Sequence, residues 1–200
     1  MRLWTKVYFY LNRVFGKPQK VEPGIYDRTD DIFTHRTIPF LEQHQDIFSG
    51  KVLVVGCGNG VEIDWIAKHC EAVVAVDVSS KAVSDTKKRT SGLKQVKCFL
   101  LDDKIPALDN SFDVIFMHNV CEHIIDINFW FSEYYRVLKK DGVFLNQFSP
   151  LFYSPFGAHL IDVLKMPWGH LIFGAKAVVE LRNIYYPEQI NAQSWAELRP

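Results

Sequence analysis

The stretch KVLVVGCGNG, residues 51–60, decides the fold of this chain. Its first half is an apolar run, and its second half has glycine at Gly56, Gly58 and Gly60. A short apolar run that ends at a turn is typical of a strand buried on both faces. Alternating glycines let the backbone bend sharply and bring its amides close to a ligand. The stretch therefore predicts a buried strand followed by a ligand-binding turn.

Strands and helices alternate on the carboxyl side of this turn. The predicted strands are 51–55, 72–76, 96–100, 112–117 and 143–146, and the predicted helices are 63–69, 80–89 and 127–138. Such alternation indicates a parallel sheet covered on both faces. We therefore predict an α/β fold with a Rossmann-like, doubly wound, mostly parallel sheet.

The chain beyond the fifth strand departs from this rhythm. Its only strand candidates are 177–181 and 183–186, and residues 192–198 resemble a helix. We expect either a sheet that is shortened after strand five or a chain that is truncated there. Residues 150–157 and 166–170 are rich in aromatic residues, Pro and Gly.

The domain organisation follows from length and pattern. A chain of 200 residues suits one compact domain. Within it we expect an N-terminal helical cap (1–45), a core that binds the cofactor (46–148) and an irregular, aromatic-rich cap (149–200). A helix capped by Asp30 or Asp31 is expected to run through Leu41.

Residues 3–15 predict an amphipathic helix, with Leu3, Trp4, Val7, Tyr8, Leu11, Val14 and Phe15 at helical spacing. Arg2, Lys6 and Arg13 fall on another face. Two interpretations stay open. The apolar stripe packs on the domain as a lid, which we favour, or the helix makes peripheral contact with an anionic membrane.

Composition limits the partners. Lys plus Arg equals Asp plus Glu, at 23 each, so no net field draws the chain onto nucleic acid. The four cysteines lack metal-ligand spacing and lie in or beside apolar segments. We expect reduced thiols, a cytoplasmic location, and neither a membrane span nor a secretion signal.

Asp77 ends the second predicted strand, about 20 residues beyond the glycine turn. A carboxylate at this position can accept hydrogen bonds from both hydroxyls of a ribose. The simpler interpretation of the glycine turn is a tight turn that binds nothing. The simpler interpretation of Asp77 is a solvated surface acid.

These features together resemble the class I S-adenosylmethionine-dependent methyltransferases. The run Leu-Asp-Asp-Lys-Ile-Pro-Ala-Leu-Asp-Asn-Ser-Phe-Asp, residues 101–113, and the pair Glu122-His123 are similar to landmarks of that family. The resemblance covers roughly residues 51–145 and implies S-adenosylmethionine as cofactor. It is more specific in residues 101–113 than in the glycines.

The resemblance also implies roles for single residues. It assigns cofactor binding to Gly56, Cys57, Gly58, Gly60, Asp77, Val78, Asp102, Asp103, His118 and Asn119. Val78 packs on the adenine, and Asp102 or Asp103 meets its amino group. His118 and Asn119 hold the methionine portion through their backbone.

Two positions depart from the family pattern. An ungapped alignment puts Leu101 at the position of the adenine-contacting acid, and Val54 stands where the family usually has Asp or Glu. Glu62 is a possible substitute for the second acid. The alternative is an exposed Glu in the first turn of a helix, stabilised by the helix dipole.

The candidate catalytic residues are His118, Glu122 and His123, which follow the fourth strand. A histidine near its ordinary pKa suits removal of a proton from an acceptor. The alternative is that the Glu122-His123 pair shapes the cofactor pocket and caps the next helix. His159 and His170 either pack in the cap or contact substrate, and Asp162 with His159 lacks a third metal ligand, so no metal is expected.

The sequence thus predicts a methyltransferase that acts on a small-molecule, sugar or lipid acceptor. One alternative is a non-catalytic binding module that keeps the fold. Another is an NAD-dependent oxidoreductase, although its third glycine would fall one position later than Gly60. Neither the acceptor nor the oligomeric state can be read from the pattern.

Overall fold

The computed structural model describes residues 2–18, 37–158, 160 and 163–185. The chain divides into two compact units. The larger unit is Arg28–Phe148, and the smaller unit combines Met1–Asp27 with Ser149–Pro200.

The larger unit is an α/β sandwich. Its elements are α2 (Ile38–Gln43), β1 (Lys51–Val55), α3 (Val61–Ile66), β2 (Ala72–Asp77), α4 (Ser80–Arg89), β3 (Val96–Leu100), β4 (Phe112–His118), α5 (Ile127–Val137) and β5 (Leu138–Gln147). The five strands pair in the order β3-β2-β1-β4-β5, and every pairing is parallel. The strand order reverses between β1 and β4, which is where such sheets bind ligands.

Alternate residues of the central strands enter two separate cores. Val52 and Val54 of β1 face one core with Ile63 and Ile66 of α3, while Leu53 and Val55 face the other. The second core includes residues of α5. Because both faces of the sheet are covered, the central strands are continuous apolar runs, as the sequence predicted.

The predicted strands and helices of this unit are confirmed to within one residue at their described ends, except that α3 covers Val61–Ile66 rather than 63–69 and that β5 is longer than predicted. This strand begins at Leu138 rather than near residue 143. Phe112 pairs with Leu138, the register then shifts, and Val114 pairs with Val143. The Asp141-Gly142 pair, which reads as a turn in the sequence, lies inside this irregular part of the strand.

The smaller unit contains two helices, α1 (Leu3–Phe15) and α6 (Gly169–Tyr185). Helix α6 bends at Gly174, whose φ is 75°. The strand candidate at 177–181 is wrong, because these residues are helical, as are residues 183–185. Valine at two successive positions suggested a strand, but Phe173, Ala177 and Leu181 recur every four residues and face one core.

Helix α1 is correctly predicted, but the prediction of its buried face is mostly wrong. Tyr8 is fully buried and stacks on Phe173, with ring centroids 4.4 Å apart. The polar residues Thr5 and Asn12 share that buried face. The remaining apolar stripe is largely exposed, with Leu3, Trp4, Leu11, Val14 and Phe15 open to solvent.

Some predictions lie outside the described residues. These are the cap at Asp30 or Asp31, His159, Asp162 and the helix at 192–198. Within the described part of the chain, no helix is both long enough and apolar enough to cross a bilayer.

Candidate functional site

The turn after β1 depends on glycine at three positions. Gly56, Gly58 and Gly60 have φ values of 72°, 54° and 78°, in the left-handed region that side chains disfavour. A β-carbon on Gly56 would collide with the side chain of Val120, and one on Gly60 would meet Thr86 at 3.1 Å. A β-carbon on Gly58 would meet no protein atom within 4 Å. Gly58 therefore leaves space open on the side where a ligand can approach.

Helix α4 holds the turn from behind. The Thr86 hydroxyl donates to the Gly58 carbonyl at 3.0 Å, and Arg89 Nε donates to the Asn59 carbonyl at 3.0 Å. The Cys57 side chain is buried in the core, and burial raises the pKa of its thiol to about 11. Cys57 is thus a packed thiol and not a nucleophile at neutral pH.

Asp77 links the turn to the end of β2. Its Oδ2 accepts a hydrogen bond from the Gly58 amide at 3.0 Å, and its Oδ1 accepts one from the Ser79 amide at 2.8 Å. Each carboxylate oxygen has two lone-pair directions, so one on each stays open to a ligand. Asp77 is therefore a fixed acceptor with two remaining positions, and the simple reading as a solvated surface acid is wrong.

A cavity of about 680 Å³ lies at the carboxyl ends of the strands. It is lined by Val55, Gly56, Gly58, Asp77, Val78, Leu101, Asn119, Val120, His123, Ile124, Ile125, Asp126, Trp130 and Tyr134. This is the position at which the strand order reverses. A mostly apolar cavity with a few convergent polar groups is the usual form of a small-molecule site.

Six of the predicted site residues meet in this cavity. They are Gly56, Gly58, Asp77, Val78, Asn119 and His123. The other six, which are Cys57, Gly60, Asp102, Asp103, His118 and Glu122, do not line it. Gly60 instead shapes the turn, and its amide donates to the Cys57 carbonyl at 2.9 Å.

Leu101 takes the place on the cavity wall that the prediction gave to an acid. Its side chain is buried and lines the cavity, whereas Asp102 and Asp103 are exposed and lie off its lining. Leu101 follows β3, and its amide donates to the Asp77 carbonyl at 2.8 Å. The ungapped alignment, which placed Leu101 at this position, agrees with the structure.

The rest of the acidic run between β3 and β4 is structural. Asp109 accepts from Arg136 at 2.8 Å, and the same guanidinium binds Glu133 and the carbonyls of Ala107 and Ile105. The hydrogen bond from Arg136 lowers the pKa of Glu133. These contacts clamp the loop that carries Leu101 onto α5.

Asp113, the last acid of the run, supports the sheet. Its Oδ2 accepts from the Lys51 amide at 2.8 Å, and its Oδ1 accepts from Lys139 Nζ at 2.6 Å. These hydrogen bonds, that from Lys139 first, lower the pKa of Asp113. Asp109 and Asp113 thus support the loop and the sheet, and neither lines the cavity.

His118 and Glu62 form a buried pair beside the cavity. His118 Nδ1 lies 3.0 Å from Glu62 Oε1, and the two side chains are 14% and 9% exposed. The alternative of an exposed first-turn Glu62 is therefore wrong. Glu62 orients His118, and Val54, the other departure from the family pattern, is only 3% exposed and packs in the core.

Glu122 and His123 form a short 3-10 turn, Cys121–His123, after β4. The His123 side chain is exposed and lines the cavity, while Glu122 Oε2 is buried without a hydrogen-bond partner among the described residues. The idea that this pair caps the next helix is wrong. Asp126 caps α5 by accepting from the Phe129 amide at 3.0 Å.

Sequence reasoning missed the apolar wall of the cavity. Trp130 and Tyr134 line it from α5, stacked with ring centroids 6.3 Å apart, and burial raises the pKa of Tyr134. Their spacing of four residues places them on one helix face, which was the available signal. Ile125 also lines the cavity although it is 93% exposed. Only its place on the cavity lining, and not its sequence pattern, identifies Ile125 as a residue of the site.

A family model described as a methyltransferase domain matches residues 53–146. The match begins in β1 and ends in β5, so it includes every strand of the sheet. It covers the glycine turn, Asp77, the acidic run and the Glu122-His123 turn.

Two curated relatives share this region. A ubiquinone biosynthesis O-methyltransferase of Pelagibacter ubique is 31% identical over 46% of this chain and 39% of its own length. A probable S-adenosylmethionine-dependent methyltransferase of Mycolicibacterium smegmatis is 34% identical over 65% of this chain and 54% of its own length. The chain thus spans about half the length of these relatives.

Among solved structures, a methyltransferase dependent on S-adenosylmethionine from Aquifex aeolicus superposes with a TM-score of 0.52. It is 25% identical, and the match covers 60% of this chain and 69% of that one. The similarity supports the Rossmann-like α/β fold.

Proposed function

Because residues 53–146 belong to the class I S-adenosylmethionine-dependent methyltransferase family, we propose that this chain transfers a methyl group to a small-molecule, sugar or lipid acceptor. The observation that carries the proposal is the cavity at the reversal of strand order, where Asp77 and the glycine turn are joined by a hydrogen bond. That arrangement fits a ligand with a ribose and an apolar base.

The residues of the cavity fit the cofactor in three places. The open lone pairs of Asp77 suit the ribose hydroxyls. Val78 and Leu101 offer apolar surface to the adenine, and Val78 is 75% exposed although it lines the cavity. The space in front of Gly58, with Asn119 nearby on the lining, suits the methionine portion.

The cofactor supplies a methyl group that its sulfonium already activates. The protein therefore has to align the acceptor and exclude water. The side chains of Ile124, Trp130 and Tyr134 form the apolar wall that would exclude water. His123 lines the cavity and is exposed, which supports a role in accepting a proton from the acceptor.

Three buried oxygens lie on residues that follow β4 or end β5, off the lining of the cavity. Glu122 Oε2, Asn146 Oδ1 and Gln147 Oε1 are buried and have no partner among the described residues. Buried oxygens of this kind cost free energy until a donor meets them. None of them faces the cavity, so the proposal of a hydroxyl acceptor depends on the similarity to a ubiquinone biosynthesis O-methyltransferase.

The direct test is transfer of label from S-adenosylmethionine carrying a labelled methyl group into small-molecule and lipid extracts. Wild type should label at least one compound, and Asp77→Ala should not. Asp85→Ala, which removes an exposed acid of α4, is the matched control and should label as wild type does. Equal labelling by wild type and Asp77→Ala would contradict the assigned site.

A second candidate is a non-catalytic binding module. It is favoured by Val54 and Leu101, which replace with core-packing side chains the two acids that the family pattern usually has there. Such a module would bind S-adenosylmethionine weakly or not at all and would label no extract. Binding together with labelling would exclude it.

A further inference from the structure

Helix α1 turns an apolar face outward. Its buried residues, Thr5, Tyr8 and Asn12, share one side. The exposed apolar residues of the remaining surface, here called the outer face, are Leu3, Trp4, Tyr10, Leu11, Val14 and Phe15, of which Trp4 at its edge also contacts Phe173, with ring centroids 5.3 Å apart. Leu3 and Val14 are each 78% exposed. A helix of a globular protein normally buries such a stripe, so this face is unusual.

The helix cannot roll to bury this face without breaking its anchors. Asn12 Nδ2 donates to the Val163 carbonyl at 2.7 Å, and its Oδ1 accepts from the amides of Lys165 and Met166. Tyr8 is stacked on Phe173 on the same side. Buried polar bonds and an aromatic stack therefore hold the outer face toward solvent.

Positive charge is concentrated in the N-terminal segment that contains α1. The first 20 residues contain five Lys or Arg and no Asp or Glu, although the whole chain is neutral. Lys6 and Arg13, two turns apart on α1, are both exposed and border the outer face. Arg2 lies 3.7 Å from Glu180, so one of the five charges is partly compensated.

We propose that α1 docks this protein on an anionic lipid surface through its outer face, with Lys6 and Arg13 against the headgroups. An apolar stripe bordered by basic residues is the pattern of a helix that lies in the membrane interface. Thirteen residues span about 20 Å, too short to cross a bilayer, so the helix lies along the surface. The proposal is independent of methyl transfer.

Sedimentation with vesicles tests the docking. The full chain should bind vesicles of phosphatidylcholine with about 30% phosphatidylserine, and bind vesicles of phosphatidylcholine alone at least about fivefold more weakly. High salt should reduce binding to the anionic vesicles. No binding to anionic vesicles, or equal binding to both kinds, would overturn the proposal.

Paired variants assign the binding to α1. Leu3→Glu with Val14→Glu should weaken anionic binding at least about tenfold, and Lys6→Glu with Arg13→Glu should weaken it by a similar factor. The controls are Leu108→Glu, at a site 83% exposed in the larger unit, and Lys87→Glu with Lys94→Glu, which together make the same charge change there as the basic pair. Both controls should bind as wild type does.

Two further readouts separate this surface from a protein interface. Trp4, 58% exposed on the outer face, should shift its fluorescence to shorter wavelength on vesicle addition, and Trp4→Phe should lose that shift. Size-exclusion chromatography reports self-association. If the α1 variants only convert a dimer to a monomer while vesicle binding is unchanged, the face is a contact between copies and the proposal fails.

Discussion

The two walls of the cavity differ in how far hydrogen bonds hold them in place. On the β1–β2 wall, Asp77 holds the Gly58 and Ser79 amides, and Thr86 holds the Gly58 carbonyl. On the β4 wall, the lining residues Ile124 and Ile125 carry no polar side-chain atoms, and Ile125 is almost fully exposed. The first wall is formed before any ligand arrives. The second offers exposed apolar surface.

The difference shows how one fold can serve many acceptors. A wall fixed by its own backbone hydrogen bonds recognises a constant ligand, because few of its atoms can change partner. A wall of exposed apolar residues can be altered without disturbing the sheet. The cofactor should therefore depend on the β1–β2 wall and the acceptor on the β4 wall.

The largest effect is expected at Gly56. Gly56→Ala would place a methyl group into Val120 at a φ of 72°, costing about 2–4 kcal/mol in the free energy of unfolding and abolishing cofactor binding. Urea denaturation and calorimetry measure the two effects. Gly58→Ala is the matched control, since its methyl meets only open space, and it should cost about 1 kcal/mol. Equal stability of the two variants would contradict the packing assigned to Val120.

Asp77→Ala should weaken S-adenosylmethionine binding at least about 100-fold, because two hydrogen bonds to a charged group would be lost. Titration calorimetry measures the change in Kd. Asp85→Ala should leave Kd unchanged. An effect of Asp77→Ala below about threefold would mean that the carboxylate only supports the turn.

His123→Ala should lower kcat by about 100-fold while changing the Kd for S-adenosylmethionine by less than about threefold. This split between turnover and binding would assign the β4 wall to the acceptor. The assay requires the labelled compound identified in the transfer screen. Unchanged kcat would show that His123 only shapes the cavity.

The clamp between Arg136 and Glu133 should stabilise the loop behind Leu101 in a manner that depends on pH. Because the folded-state pKa of Glu133 lies below its ordinary value of 4.5, its contribution is present above that pH. It is lost as the pH falls through the lowered pKa. Glu133→Gln should therefore reduce Tm by about 2–4 °C at pH 7.

Thermal melting from pH 7 to pH 3 checks this dependence. The difference in Tm between wild type and Glu133→Gln should shrink toward zero at the acid end. Ser132→Ala, on the neighbouring residue of α5, is a control that leaves the clamp intact. A difference that stays constant with pH would show that the carboxylate charge is not responsible.

The smallest effect is expected at the exposed acids after β3. Asp102→Ala and Asp103→Ala should each change the Kd for S-adenosylmethionine by less than about threefold, because neither side chain lines the cavity. The same calorimetric titration measures it. A tenfold loss in either variant would restore the adenine contact that the family resemblance implied.

The sheet was predictable because parallel strands buried on both faces are continuous apolar runs. The glycine turn and Asp77 were also visible, since their positions follow directly from β1 and β2. Leu101 and Tyr134 were harder to assign, because core residues and cavity-lining residues are drawn from the same apolar and aromatic amino acids. Residues 177–181 misled because two valines outweighed the helical spacing of their neighbours.

The candidate catalytic residues were also only partly predictable from the sequence. His118, Glu122 and His123 lie within six residues of one another in the sequence, yet only His123 lines the cavity. The pairing of His118 with Glu62 joins residues 56 positions apart, and no local pattern reveals such a contact. The helical spacing of its apolar residues predicted helix α1. The orientation of its apolar face depends on the buried Asn12, which reads as a polar surface residue.

The most direct test of cofactor binding at the β1–β2 wall is calorimetric titration of the wild-type chain with S-adenosylmethionine and, separately, with NAD. We predict saturable binding of S-adenosylmethionine with a Kd below about 1 mM, a binding free energy stronger than about −4 kcal/mol, and no binding of NAD. Absence of heat with S-adenosylmethionine at millimolar concentration, from a chain shown to be folded by its thermal transition, would contradict this prediction.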